Sequence, residues 1–141
     1  KLANQLIKNE GSDVKALGYL ISARCKTNLF DYYEAENDYL KALKSGIDSS
    51  TIWKALGNLY MNKLNDYFKA EKVYLKYISN DGVNKDIWIK LGDLYHYSLE
   101  KFPEAEKAYL KTTQIDNFYP TVWFRLGELY KDHLQNFKKA E

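Results

Sequence analysis

The sequence predicts an all-α fold in which antiparallel helix pairs repeat along the chain. Three tryptophans, Trp53, Trp88 and Trp123, lie 35 residues apart. The residues around each tryptophan have the spacing of one helical face, and the 141 residues include only two prolines, which interrupt helices. A unit of this length that recurs several times is typical of helical repeat proteins, whose units stack on their neighbours.

The first helix of each pair follows from a shared motif, Trp-x2-Leu-Gly-x-Leu-Tyr, at 53–60, 88–95 and 123–130. Its Leu, Gly and Tyr come three, four and seven residues after the tryptophan, which is one face of an α-helix. A more divergent copy places Gly18, Ser22 and Cys25 in the tryptophan, glycine and tyrosine columns. The motif therefore predicts four copies of this helix, with close helix contacts at the small residues.

The second helix of each pair is indicated by aromatic and alanine columns further along the unit. Its alanines are Ala35, Ala70, Ala105 and Ala140, and a tyrosine follows four residues later in the first three copies. Asp31, Asp66 and Asn136 are expected to cap this helix, and Pro103 fits its first turn. The predicted segments are 1–10 (second helix of a truncated repeat), 15–49, 50–84 and 85–119 (repeats 1 to 3) and 120–141 (truncated repeat 4).

These motifs resemble the tetratricopeptide repeat, whose signature is Trp-x2-Leu-Gly-x2-Tyr, then Ala-x3-Phe/Tyr and often Pro. The resemblance covers nearly the whole chain and implies a right-handed solenoid, an α-α superhelix, that binds other proteins. The sequence departs from this signature in two places, and each departure should change only a turn between helices. The period exceeds the usual length of about 34 residues by one, and Gly82 stands in the usual proline column. We expect the extra residue to lie between the paired helices.

Composition argues against several other classes of function. The net charge of +2 gives no basic surface for a nucleic acid or a membrane, and no long apolar run indicates a membrane span or export. Cys25 is the only cysteine, so a reducing, cytoplasmic location is expected. No motif predicts a catalytic, cofactor or metal site; His96 and His133 are expected at the surface, and Cys25 is expected to be a buried, inert thiol.

The resemblance also implies where a partner binds, namely the concave groove lined by the first helices. Positions one, five and eight after each tryptophan column are expected to point into it. With Arg125, the predicted groove residues are Tyr19, Ala23, Lys26, Lys54, Asn58, Met61, Ile89, Asp93, His96, Phe124, Glu128 and Lys131.

An apolar groove column favours one kind of ligand. Tyr19, Ile89 and Phe124 share a column and have charged groove neighbours, which suits an amphipathic helix or an extended segment of mixed charge. In the alternative, these side chains pack against neighbouring helices and form only the groove floor.

A second kind of ligand is a chain-terminal pair of carboxylates, which some tetratricopeptide domains hold with five side chains. Lys54, Asn58 and Arg125 match three of those columns, but Lys90 and Thr121 occupy the other two. Because such a clamp depends on charge-assisted geometry, the two substitutions argue against it.

The leading interpretation is a non-enzymatic scaffold that binds a peptide segment or helix of a partner protein in the groove. The alternative is a regulatory or sensor arm of a larger multidomain enzyme or signalling protein. A base-reading repeat is disfavoured, because one groove column holds Ala23, Asn58, Asp93 and Glu128 with no recurring polar pair. Because both ends fall within a repeat and solenoids need capping units, we expect a segment of a longer array, or end-to-end self-association.

Overall fold

A computed structural model describes the backbone of residues 2–46 and 50–140 and the side chains of 11–46, 50–133, 135 and 138. Within these ranges the chain forms seven α-helices and no strand, which confirms the all-α prediction. The helices are α1 (Leu2–Asn28), α2 (Tyr32–Lys44), α3 (Ser50–Leu59), α4 (Tyr67–Asn80), α5 (Lys85–Asp93), α6 (Phe102–Ile115) and α7 (Pro120–Ala140).

The chain divides into two compact units, Lys1–Val73 and Tyr74–Glu141. Each unit contains helix pairs of the predicted kind, α1 with α2 in the first unit and α5 with α6 in the second. The apolar spacing of the sequence also predicts helix-packing positions near the two ends of the chain. These side chains lie outside those that the structure describes: Ala3, Leu6, Ile7, Leu134, Phe137 and Ala140.

In the first unit, α1 packs on α2 through one face that is rich in small residues. Ala16, Ala23 and Ala35 are buried there, and the Ser22 hydroxyl donates a hydrogen bond of 2.6 Å to Asp38. α1 is a single helix from Leu2 to Asn28, so the prediction of a separate helix over 1–10 is wrong. The polar residues 11–13 resemble a turn, but without a proline the helix continues through them.

In the second unit, Gly92 of α5 is the point of close approach to α6. A Cβ atom on Gly92 would lie 2.5 Å from the Tyr109 ring, so only glycine fits. α7 covers the next side of this pair with Val122, Leu126 and Leu129, which are buried. The predicted small-residue contact is therefore confirmed at Gly92.

The α7 helix departs from the predicted pattern of its repeat. It continues to Ala140, so Asn136 lies inside a helix and does not cap a new one. Gly127 consequently has no neighbour within 4 Å of an added Cβ, although it occupies the same column as Gly92. The expected close contact is absent at Gly127 because α7 continues as one helix over 120–140, so no second helix within this range packs against the glycine.

The extra residue of the 35-residue period has a structural counterpart between the paired helices. π-helical turns at Tyr60–Leu64 and Leu94–Ser98 follow α3 and α5. Because π hydrogen bonds span five residues and not four, each such turn takes up one residue more than an α turn. Left-handed backbone follows at Asn65 and Glu100, and Phe30 is left-handed in the corresponding position after α1.

The helix starts agree only partly with the predicted caps. Asp66 accepts a hydrogen bond of 3.1 Å from the backbone N–H of Lys69 and Pro103 lies in the first turn of α6, as expected. Asp31 precedes α2 but makes no side-chain capping bond, so that prediction is wrong. Asn84, which was not predicted, caps α5 by accepting from two backbone N–H groups.

Two members of the tryptophan column, Trp88 and Trp123, connect their helices to the loops before them. The indole N–H of Trp88 donates to the Gly82 carbonyl at 2.8 Å, and that of Trp123 donates to the Asn117 carbonyl at 2.9 Å. Trp88 is half-buried and Trp123 is exposed, so neither ring is fully enclosed in the helix core. In both repeats the indole N–H holds the loop closed against the helix.

We expect Phe30→Asn to stabilise the protein by about 0.5–1 kcal/mol. Phe30 has φ of 65° and is exposed, and a left-handed backbone is unfavourable for a bulky residue but tolerated by Asn, as at Asn65. Urea denaturation followed by circular dichroism measures the change, with Tyr33→Asn on exposed helical backbone as the control. A loss of stability in Phe30→Asn would mean that the ring contributes more than the backbone strain costs.

Candidate peptide-binding surface

The predicted groove residues of the first unit differ widely in exposure. Ala23 is fully buried against α2, so the prediction that it faces a groove is wrong. Lys26 is bound to Asp38 at 2.7 Å and to Glu34 at 3.6 Å. Tyr19 is half-buried beneath the Lys41 ammonium, which lies 5.7 Å from the ring centroid.

The remaining predicted residues of this unit lie along α3 and the turn that follows it. Lys54 is exposed, whereas Asn58 and Met61 are partly exposed. Lys54 is therefore the most accessible of these three positions.

In the second unit, two of the predicted groove residues are buried. Ile89 is 8% exposed and His96 is 3% exposed, so neither presents a large surface to a ligand. At Ile89 the structure agrees with the floor alternative, in which the apolar column packs between helices. Phe124, in the same column of the next repeat, is 64% exposed.

His96 contradicts the expectation of a surface histidine. Its Nε2 lies 2.8 Å from a carboxylate oxygen of Asp132, and its ring stacks on Tyr97 with centroids 4.0 Å apart. The ring also meets the edges of Phe102 and Tyr109. The π turn brings His96 inward, a rotation that the spacing of a regular helix does not predict.

Cys25 is another position where the expectation is wrong. Its thiol is exposed, whereas the tyrosines in the same column of repeats 2 and 3, Tyr60 and Tyr95, are buried. The difference arises because this face of α1 points away from α2.

Arg125 lies at the centre of a network of ion pairs and hydrogen bonds. Its guanidinium is 3.0 Å from Asp93 and 3.1 Å from Glu128. Tyr109 donates a hydrogen bond of 2.7 Å to Asp93, and Tyr97 donates one of 2.6 Å to Glu128. Three predicted groove residues, Asp93, Arg125 and Glu128, are thus brought together by α5 and α7.

The network fixes the charge of its members. The hydrogen bond from Tyr97, with help from Arg125, holds the pKa of Glu128 below its usual value. Partial burial and the same hydrogen bond raise the pKa of Tyr97 to about 12. At neutral pH, Tyr97 therefore stays a neutral donor and Glu128 stays an anion, so the arrangement persists across the physiological range.

Beside this network, α7 presents a mixed apolar and charged face. Phe124, Glu128 and Lys131 are spaced i, i+4 and i+7 along the helix, and Phe124 and Lys131 are exposed. The hydrogen bond to Glu128 ties the half-exposed ring of Tyr97 to this face. We call Tyr97, Phe124, Glu128 and Lys131 together the Phe124 surface.

A pocket of about 220 Å³ opens next to these residues, lined by His96, Tyr97, Glu100, Phe102, Asp132 and Gln135. Sequence reasoning missed Tyr97 and Asp132, because their column holds Asn62 in repeat 2 and Thr27 in repeat 1. The one available signal was an aromatic residue at a column that is otherwise polar.

No helix among the described residues has the length and hydropathy needed to cross a membrane.

Several solved structures with a similar fold are tetratricopeptide domains. The Arabidopsis OM64 TPR domain has a TM-score of 0.74 and 16% identity, over 86% of this chain and 98% of that one. The first TPR of Spaghetti (RPAP3), bound to the HSP90 peptide SRMEEVD, has a TM-score of 0.74 and 16% identity over 86% and 95%. MamA has a TM-score of 0.74 and 20% identity over 97% and 81%.

No protein-family model and no curated protein matches the sequence. The structural likeness shows that this chain has the tetratricopeptide-repeat fold, an all-α repeat of antiparallel helix pairs. The resemblance noted in the sequence is confirmed at the level of the fold.

Proposed function

We propose that the chain is a non-enzymatic protein-interaction module that binds a peptide segment or helix of a partner protein at the Phe124 surface. The observation that carries this proposal is the exposure of a large aromatic side chain, Phe124, next to an ordered set of charged groups. An exposed apolar group with a polar rim is typical of a binding site for another protein.

Two aromatic rings supply the apolar anchor. Phe124 is 64% exposed and Tyr97 is 49% exposed, and the Tyr97 ring is held between His96, on which it stacks, and the Arg125 guanidinium, 5.5 Å away. A ring that is already held in place loses little conformational entropy on binding, and aromatic residues dominate interface energetics. A leucine, isoleucine or phenylalanine of the partner would bury these rings.

The charged groups around the anchor favour a partner of mixed charge. Lys131 is exposed and can pair with an acidic residue, while Asp132 and Glu100 beside the pocket can pair with a basic one. Charges of both signs around a site fix the register in which a segment binds more than they strengthen its binding. The proposed ligand is therefore an amphipathic segment with one apolar anchor and charges of both signs.

A chain-terminal carboxylate is a poor fit to the same residues. Arg125, the best candidate to hold it, is already within 3.1 Å of two carboxylates, Asp93 and Glu128. A third carboxylate would have to displace one of them at a cost in ion pairing. Binding of the acidic-tailed peptide is a property of the Spaghetti (RPAP3) structure, and we do not extend it to this chain.

The test is selection of binding peptides from a random library displayed on phage, followed by fluorescence anisotropy with the purified chain. Phe124→Ala should weaken binding of the selected peptides at least tenfold, because truncating a central aromatic hot spot typically costs about 2 kcal/mol or more and about 1.4 kcal/mol corresponds to a factor of ten. Phe118→Ala is the matched control, since Phe118 is 91% exposed in a loop of the same unit.

Equal binding by Phe124→Ala and the unsubstituted chain would contradict the proposed site. Equal losses in Phe124→Ala and Phe118→Ala would point to non-specific apolar contact. Failure of the library to yield any binder that depends on Phe124 would count against the module as a peptide receptor at this surface.

A further inference from the structure

α1 is apolar on two opposite faces, and α2 covers only one of them. Ala16 and Ala23 face α2 and are buried. On the opposite side, Val14, Leu17 and Ile21 follow each other at i, i+3 and i+7 and are 70%, 56% and 56% exposed. Three large aliphatic side chains in line on solvent-exposed helix are typical of a helix interface.

The other members of this stripe suit close contact with a second helix. Gly18 has no neighbour within 4 Å of an added Cβ, and the thiol of Cys25 is exposed one turn beyond Ile21. From Val14 to Cys25 the stripe extends over about 16 Å at 1.5 Å per residue. A glycine in the middle of such a stripe lets two helix backbones approach closely.

In the other repeats, the columns of Leu17 and Ile21 are core positions. Ile52 and Leu56 are buried in repeat 2, and Val122 and Leu126 are buried in repeat 4. In repeat 4 these residues lie on α7, which packs against α6. The α1 stripe therefore has the chemistry of a helix-packing surface, and its repeat counterparts show that helices cover it.

The charges beside the stripe indicate what covers it. Asp13 and Arg24 are exposed, and helical spacing of about 100° per residue places both on the same flank of the stripe. When two copies of one helix pair antiparallel, the same flanks face each other. Asp13 of each copy then lies opposite Arg24 of the other, which gives two complementary ion pairs.

We infer that this α1 face is a homodimer interface, in which a second copy of the chain packs its own α1 antiparallel to the first. Pairing about a twofold axis near Tyr19 sets Leu17 against Ile21 of the second copy, twice. It also sets Val14 against Cys25 of the second copy at each end. The contact is isologous, the commonest arrangement in soluble homo-oligomers, and it is separate from the Phe124 surface.

Sedimentation equilibrium of the 141-residue chain under reducing conditions tests the interface, with chain concentrations from about 1 to 500 μM spanning the range of weak to moderate dimers. We expect a monomer–dimer equilibrium. Leu17→Asp should weaken association at least tenfold, because pairing would bury an unpaired charge. Leu75→Asp is the matched control, since Leu75 is also a half-exposed helical leucine, and it should leave association unchanged.

Charge exchange tests the antiparallel register. Asp13→Arg and Arg24→Asp should each weaken association several-fold, because each places like charges together, and the double exchange should restore it. In addition, Val14→Cys should yield, on mild oxidation, a dimer joined by two disulfides between the introduced thiol and Cys25 of the other copy. Both results depend on the antiparallel pairing and not on helix exposure alone.

Several outcomes would overturn the inference. A chain that remains monomeric at the highest concentration would contradict the homodimer. The α1 face would then be a binding site for a different protein or for another segment of the same protein. Open growth beyond a dimer that Trp123→Asp abolishes would assign the contact to α7 of the second copy. Disulfides that join only Cys25 to Cys25 of the second copy, or no restoration by the double exchange, would exclude the antiparallel register.

Discussion

Tyr109→Ala should lower the free energy of unfolding by about 3–5 kcal/mol, the cost typical of removing a large buried aromatic side chain. Tyr109 is fully buried, its ring fills the space left by Gly92, and its hydroxyl donates to Asp93 at 2.7 Å. The substitution would leave a cavity between α5 and α6 and remove a neutral donor from the Arg125 network. Urea denaturation followed by circular dichroism measures the loss.

Two control variants separate the contributions of Tyr109. Tyr109→Phe keeps the ring and removes only the hydroxyl, so it should cost about 1 kcal/mol. Tyr33→Ala removes a ring that is 77% exposed and should change stability by less than about 0.5 kcal/mol. If Tyr109→Ala were as mild as Tyr33→Ala, the Tyr109 ring could not be a major packing contact between α5 and α6.

Substituting alanine at Gly92 and at Gly127 should have opposite effects, although both glycines occupy the same repeat column. At Gly92 the new Cβ would fall 2.5 Å from the ring of Tyr109, which is buried and hydrogen-bonded and therefore cannot move freely. Overpacking of this kind should cost about 2 kcal/mol after the gain in helix propensity is subtracted.

At Gly127 an added Cβ meets nothing within 4 Å. Gly127→Ala should therefore stabilise α7 by up to about 1 kcal/mol, the difference in helix propensity between the two residues. Thermal melts of both variants beside the unsubstituted chain give the signs directly. Two shifts in the same direction would show that repeat column, and not local packing, determines the role of these glycines.

The repeat columns predicted most of the fold because the same packing recurs in each unit. Trp-x2-Leu-Gly placed the first helices correctly, and the alanine column is buried at Ala35, Ala70 and Ala105. The columns did not predict the two longest helices. α1 and α7 continue through positions where turns were expected, because a turn between stacked helices is stabilised by the second helix that packs back against the first.

The candidate site was less predictable than the fold. Counting positions along a regular helix placed His96 and Ile89 in the groove, but both are buried. The π turn after α5 brings His96 inward against Phe102 and Tyr109. The same count identified Asp93 and Glu128, and the columns of the carboxylate clamp identified Arg125. These three side chains do converge, because they lie on regular helix. Tyr97 was missed because its role depends on a contact with Glu128 that no single repeat encodes.

The most direct test of the central claim, that the Phe124 surface is where a partner binds, is an NMR titration of the ¹⁵N-labelled chain with a peptide selected for binding. We predict that backbone amide shifts concentrate at 124–131 on α7 and at 94–98 in the adjoining π turn. Shifts concentrated instead on the outward face of α6, around Leu110 and Lys111, or on α1 would contradict it.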